Sequence, residues 1–422
     1  MISIMALIYL TGCGSSELST NSIQTLDTRA PAESKLFAFY GDTQLNRILA
    51  IDVEAMELAT DIPTTGTTPY TVGRAGNLDK LYAITRGSQS IDVIDINTLE
   101  ITKTIALEHS PRSCAFNEYL GLQLVSGKDK PMSSLIDVET DEVVAVVGRN
   151  ELVTPLDFGG SNATGHPMWL TRDMFVLLDR EKRKIELYKV KKEEGKWKVT
   201  YLSKLCTPTS AHHFIGKGVD GMDTGILIDD APKDTFYLVT EGAPQDHLSP
   251  RLSEVKLIGE TLCITRTVSF GCKNVENMGA HHATFHPDGK HVYMGSTEGK
   301  MHVIDIVNMK LEKSIVTGKG SGHTTFVPQK DLAIVTNHHD TFITIVDTIT
   351  NTKIKDLNVS GESINDTILQ SHTSFTDLNG DFFYAFATDN GIFYEVNLDT
   401  LEVSRTLYTG GTPKQGCSVI LE

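Results

Sequence analysis

A chain of 422 residues with 40% hydrophobic content could fold as two or three ordinary domains, or as one closed array of repeats. Its formal charge of −16 excludes a phosphate backbone as partner, since nucleic-acid binding draws on clustered Lys and Arg, so no nucleic acid is expected. The one basic run, Arg180 to Lys184 and on through Lys189 to Lys198, alternates with Glu and apolar residues and reads as a solvated hairpin.

Taken in order, Met1 to Leu10 is an apolar run too short to span a bilayer comfortably. With Leu10-Thr-Gly-Cys13 after it, the segment resembles a bacterial lipoprotein signal, which makes 1–13 a signal peptide ending at a lipidated Cys13. Gly14 after the cysteine resembles the Gram-negative pattern that sorts to the outer membrane. Residues 14–34, rich in Ser, Thr and Asn, then form a flexible tether. The protein is expected outside the cytoplasm, held to a membrane by its lipid. Of the remaining cysteines, Cys263 and Cys272 flank one turn and are the expected disulfide pair, while Cys114 and Cys417 sit in apolar strand contexts and read as small buried hydrophobes.

From Lys35 onward short apolar runs alternate with turns. The clearest stretch, Gly279 to Leu357, holds two copies of one pattern. Gly279-Ala-His-His-Ala-Thr-Phe, His291-Val-Tyr-Met-Gly, Met301-His-Val-Ile-Asp-Ile and Leu311-Glu-Lys-Ser-Ile-Val are followed, about 42 residues on, by Gly322-His-Thr-Thr-Phe, Asp331-Leu-Ala-Ile-Val-Thr-Asn, Phe342-Ile-Thr-Ile-Val-Asp and Thr352-Lys-Ile-Lys-Asp-Leu. Four strands repeating at this period predict an all-β chain of propeller blades. An Ile-Asp or Val-Asp phrase before a turn recurs at Asp52, Asp95, Asp137, Asp305 and Asp347, with Asn397 in the same place. These side chains are assigned to capping the turn they open. Lys35 to Ile62 supplies three strands without a first one, and Thr412 to Leu421 supplies a first strand with nothing after it. Joined, they close the ring and remove its free edges. The count is an eight-bladed β-propeller over 35–422, with seven blades if the stretch Ser210 to Phe270 and its insertion around Gly216 to Asp230 are miscounted. Phrases such as Val335-Thr-Asn and the Asp-Gly turn before Val292-Tyr resemble the bacterial YVTN-type propellers. That superfamily includes lactone hydrolases, haem d1 proteins, zinc chaperones and copper reductases, so the resemblance implies fold and not function.

Position singles out the histidines. His166, the pair His212 and His213, the pair His281 and His282, His323 and His372 stand at first-strand starts of five successive blades, on one face of the expected channel. His338 and His339, with Asp340, and His247, with Asp246, fall on second-to-third-strand loops of the same face. Neutral imidazoles from separate strands can close a three- or four-coordinate copper or zinc site. His286 lies at the opposite turn and is expected to be structural, while His109, His291 and His302 are left unassigned as surface or strand residues. Asp220, Asp223, Asp229, Asp230 and Asp234 in the insertion could hold a hard cation, though a solvated loop accounts for them more simply. The chain contains no Gly-x-Ser-x-Gly elbow, Gly-x-x-x-x-Gly-Lys loop or Cys-x-x-Cys-His haem motif.

Three functions follow. In ring size and channel histidines with an aspartate near, the chain resembles the AztD-type zinc metallochaperone propellers, which implies metal handling and delivery to a transporter or enzyme. It lacks the His-rich flexible segment expected of those proteins. Seven channel histidines also resemble the multi-copper site of nitrous oxide reductase, which implies a copper-dependent oxidoreductase supplied by an electron-donor protein. A lactonase or a protein-binding scaffold is the third reading, and it gives the histidines no purpose.

Overall fold

The computed structural model describes residues 35–421 apart from 77, 155–161, 217–234, 244–245, 271–278 and 362–368. The expected signal peptide, Cys13, the tether, Cys272 and the aspartates of the insertion lie outside the described residues. Cys263 is half-buried with a free thiol.

The strands form eight four-stranded antiparallel sheets, as the repeat count predicts. Blade 1 joins the chain's two ends: Pro413–Leu421 pairs with Lys35–Asp42, which pairs with Arg47–Asp52 and then Glu57–Pro63. Blades 2 to 8 follow in order, with innermost strands Pro69–Arg74, Pro111–Asn117, Met168–Trp169, Ala211–Gly216, Ala280–Phe285, Ser321–Val327 and Gln370–Thr376. Seven blades are excluded, because the stretch once in doubt forms a complete sheet, from Ala211–Gly216 to Thr261–Ser269.

Position in the blade sets each strand's burial. Inner strands such as Pro111–Asn117 and Ser321–Val327 are buried along their whole length, since neighbouring blades cover both faces. Outer strands such as Glu57–Pro63 and Glu402–Tyr408 keep solvated residues along most of their length. The core is correspondingly divided into eight apolar layers, one between each pair of adjacent blades. Cys114 and Cys417, each 1% exposed, belong to two of these layers. The closing layer packs Leu36, Ala38 and Tyr40 of blade 1 on Phe375, Phe386 and Phe393 of blade 8.

The recurring acidic residues do what their spacing predicts. Asp95 accepts the backbone N–H groups of Asn97 and Thr98 at 2.8 and 2.9 Å, and Asp305 does the same for Val307 and Asn308 at 2.8 and 3.0 Å. Asn397 serves the last blade in the same way, through Asp399 and Thr400. These groups hold turns on the face away from the histidines and are spent on backbone.

Candidate metal centre

Inner strands start at the channel mouth, and in several blades they start irregularly. The register with the second strand shifts between Ala211 and His213, between Ala280 and Ala283, between Ser321 and Thr324, and between Gln370 and Ser374. A strand in regular pleat sends neighbouring side chains to opposite faces, whereas a bulge re-aims them. Both members of the pairs His212-His213 and His281-His282 therefore turn inward.

The result is one contiguous cluster of imidazoles. Ring centroids lie 5.0 Å apart for His166 and His212, 5.0 Å for His166 and His282, 5.1 Å for His213 and His282, and 4.4 Å for His281 and His282. The chain of contacts continues through His282 and His323 at 3.7 Å, His281 and His338 at 4.9 Å, and His338 and His372 at 4.1 Å. Three triads each present one nitrogen apiece within 4.8 Å of the others: His166 with His212 and His282, His281 with His282 and His323, and His281 with His338 and His372. Nitrogens bound 2.0–2.1 Å from one zinc at tetrahedral angles stand about 3.4 Å apart, so drawing a triad onto an ion needs only small side-chain adjustments. His213 packs in the cluster but outside these triads, where its Nε2 accepts the Ala283 N–H at 3.4 Å.

Hydrogen bonds on the far side of the rings decide which nitrogen faces inward. A carboxylate only accepts, so His212 donates from Nδ1 to Glu241 at 2.8 Å and turns Nε2 to the cluster. His338 donates from Nδ1 to the Gln370 carbonyl at 3.1 Å with the same consequence. Gly322 leaves the room for that ring, since a Cβ there would overlap the His338 imidazole. Among the described residues, His212 Nε2, His281 Nδ1, His323 Nε2, His338 Nε2 and His372 Nδ1 are buried without a hydrogen-bond partner. Each such atom costs about 1–3 kcal/mol. Five together fit a site whose donors recover that cost by binding an ion.

The seven triad histidines are also held neutral. Burial, reinforced by the charges of neighbouring imidazoles, pushes His281, His282, His323 and His372 well below the usual histidine range. His166 moves the same way through burial and then the Arg112 charge. Burial takes His212 to about 3 despite Glu241, and His338 to about 4 despite the Gln370 carbonyl. Neutral imidazole is the ligating form, so at neutral pH an incoming cation displaces no proton from these rings.

The other predicted residues stand elsewhere. His339 is exposed, next to His338 but in none of the triads. Asp340 accepts the Lys319 and Thr341 N–H groups at 3.1 and 3.2 Å, which makes it a loop residue. His247 is exposed in a left-handed backbone conformation, and Asp246 pairs with Arg183 at 2.8 Å. His109 bonds Ser134 at 2.9 Å and His302 packs on Phe270 at 4.9 Å, both away from the cluster. His286, Asp288 and His291 also lie at ligating distance from one another. Their ring nitrogens are already committed, to the Asp288 N–H (3.1 Å), the Thr348 carbonyl (3.2 Å), the Asp288 carboxylate (2.6 Å) and Glu312 (3.1 Å). For His286 this is the structural role that its place at the opposite turn predicts.

Glu241 is a functional residue that a search for histidines misses. Burial alone would raise its carboxyl, but the Arg180 charge and the His212 hydrogen bond outweigh burial and hold it below the usual range. Its position carries a signal. Glu241 directly follows the second strand of blade 5, Thr235–Thr240, as His338 directly follows the second strand of blade 7, Leu332–Asn337. The same position in blades 2, 3 and 4 holds Arg86, Lys128 and Arg180, after Lys80–Thr85, Leu122–Gly127 and Met174–Asp179.

Solved structures share this ring. The chain is similar to dihydro-heme d1 dehydrogenase NirN in complex with DHE, with a TM-score of 0.62 at 15% identity over 94% of this chain and 79% of that one. It is similar to AztD from Citrobacter koseri, with a TM-score of 0.58 at 11% identity over 92% and 99%. BamB from Moraxella catarrhalis aligns with a TM-score of 0.54 at 11% identity over 79% and 86%. The likeness is one of fold. No family model and no curated protein matches the sequence.

Proposed function

We propose that this propeller captures a transition metal at its channel mouth and acts in metal handling outside the cytoplasm, anchored through a lipid on Cys13. The observation that carries the reading is the convergence of His166, His212, His281, His282, His323, His338 and His372, from five successive blades, with orphaned ring nitrogens among them. Zinc is the first assignment, because one tetrahedral ion needs three or four of these imidazoles and because the ring resembles AztD. Metal taken up here would pass to a transporter or an acceptor protein.

A second reading, a multi-copper redox centre fed by an electron-donor protein, rests on a specific observation. Two of the triads, His166-His212-His282 and His281-His338-His372, share no residue, so the donors are numerous enough to hold two ions at once. Metal analysis of protein matured in its own compartment separates the two. About one zinc per chain supports handling, and several coppers support the redox centre. The His281→Ala/His282→Ala double variant, which removes a member of every triad, loses bound metal on either reading, and undiminished stoichiometry in that variant refutes both. Export and anchoring are tested separately: Cys13→Ser releases the protein from the membrane fraction if Cys13 carries the lipid.

A further inference from the structure

The mouth of the channel also holds cations. A cavity of about 520 Å³ is lined by His166, His212, His281, His282 and His372 and also by Arg86, Arg112 and Lys128. The two sets occupy equivalent positions of the repeat. Where blades 5 and 6 open their inner strands with His212 and His281, blades 1 and 3 place Lys414 and Arg112. Where blade 7 follows its second strand with His338, blades 2 and 3 place Arg86 and Lys128. Of these cations Arg86, Arg112 and Lys128 line the same space as the imidazoles.

This concentration of positive charge runs against a chain of formal charge −16. Arg180, in the same lining, is paired with Glu241, and Lys414 has Asp389 at 3.9 Å. Among the described residues, Arg86 and Lys128 form no ion pair, and Arg86 Nε is buried without a hydrogen-bond partner. Arg86 is nevertheless held firmly: its guanidinium lies 3.2 Å over the Tyr70 ring and donates to the Arg112 carbonyl at 2.9 Å. Tyr70 in turn stands 6.2 Å from the His372 ring, which joins the cations to the histidine cluster. Burial lowers Arg86, and burial together with the Arg86 charge lowers Lys128, as expected of cations lacking an anion. Holding the buried guanidinium of Arg86 without a counter-charge is costly unless an anion is taken up there.

We propose that Arg86, Arg112 and Lys128 form a binding subsite for a small oxyanion, carboxylate or inorganic, in the cavity that the metal-binding histidines also line. The planar fork of Arg86 suits two oxygens of such an anion, and Lys128 supplies a mobile point charge from the exposed rim. The metal role of the histidines rests on the proposed function, but anion uptake by the cations does not require it. When both are bound, the anion offsets the charge of a dication in a buried space, so each raises the affinity of the other by the same factor.

The test is isothermal titration calorimetry of the full-length protein with sulfate and with acetate, metal-free and then metal-loaded. The wild-type protein should bind at least one of the two, and Lys128→Gln, at an exposed side chain, should weaken that binding about tenfold while its melting temperature stays unchanged. Arg86→Gln/Lys128→Gln should abolish it. His282→Ala/His323→Ala should keep anion binding to the metal-free form. Binding of neither anion by the wild type, or equal binding by wild type and Lys128→Gln, overturns the subsite. Failure to bind metal while the anion binds refutes only the metal reading.

Discussion

Glu241 offers the sharpest test of how the cluster is tuned. Replacing it with Gln keeps an acceptor for the His212 Nδ1–H, bonded at 2.8 Å, but removes the negative charge shared with Arg180. Two effects follow. The carboxylate no longer strengthens His212 as a donor through its ring, and the new amide can rotate its NH2 toward the imidazole, which favours the tautomer with its proton on the inward Nε2. Loss of a partner of this kind typically weakens metal binding 10- to 100-fold, or about 1.4–2.7 kcal/mol. Some stability is lost as well, since Arg180 is 4% exposed and is left without its carboxylate, although the Asn162 carbonyl still accepts from it at 2.8 Å. Zinc affinity measured by competition with a chromophoric chelator resolves a tenfold change easily. Glu241→Gln binding zinc as tightly as the wild type, with unchanged stoichiometry, would show that His212 is not a ligand and that the His166, His212, His282 triad is idle.

Further outcomes can be stated briefly. Gly322→Ala should fold normally yet lose part of its metal capacity, because the new methyl takes the space of the His338 ring and breaks one triad while leaving the other two intact; metal content against circular dichroism checks this. Phe386→Ala should destabilise the protein by about 3–5 kcal/mol in urea, because the ring is fully buried and packs 4.8 Å from Tyr40 in the layer that closes the ring; a loss under about 1 kcal/mol would mean that this layer is not needed for closure. His302, 1% exposed, has its pKa lowered by burial from 6.5 to about 4. As pH falls the unfolded chain takes up this proton first, so stability fully present above 6.5 declines toward 4, by about 2 kcal/mol at pH 5. His302→Gln should therefore flatten the fall in urea midpoint between pH 7 and pH 5, and an identical fall in the variant would contradict the assignment.

Much of the fold is legible in the sequence because each blade must solve the same problem locally. The Asp-capped turns at Asp95 and Asp305 recur because every third strand must reverse into a fourth, and the unmatched strands at the two ends can be satisfied only by each other. The histidine strand starts are legible for the same reason. What resists reading is direction. His338 and His339 are neighbours on one turn, yet one bonds the Gln370 carbonyl inside the cluster and the other is exposed. Conversely, His281 and His282 both face inward because a bulge suspends the alternation that would have separated them. Glu241, Arg86 and Lys128 share a blade position without sharing a chemistry, so a search by residue type passes over them. Aligning the blades by their second strands would have found them.

The central claim is that imidazoles from five blades hold a metal together. Its most direct test is anomalous diffraction from crystals equilibrated with zinc or copper and recorded at the metal's absorption edge. The account predicts a strong peak within coordination distance of His281 or His282 and at least two further histidines of the cluster. No peak there, or a peak only at the surface group of His286, Asp288 and His291, would contradict it.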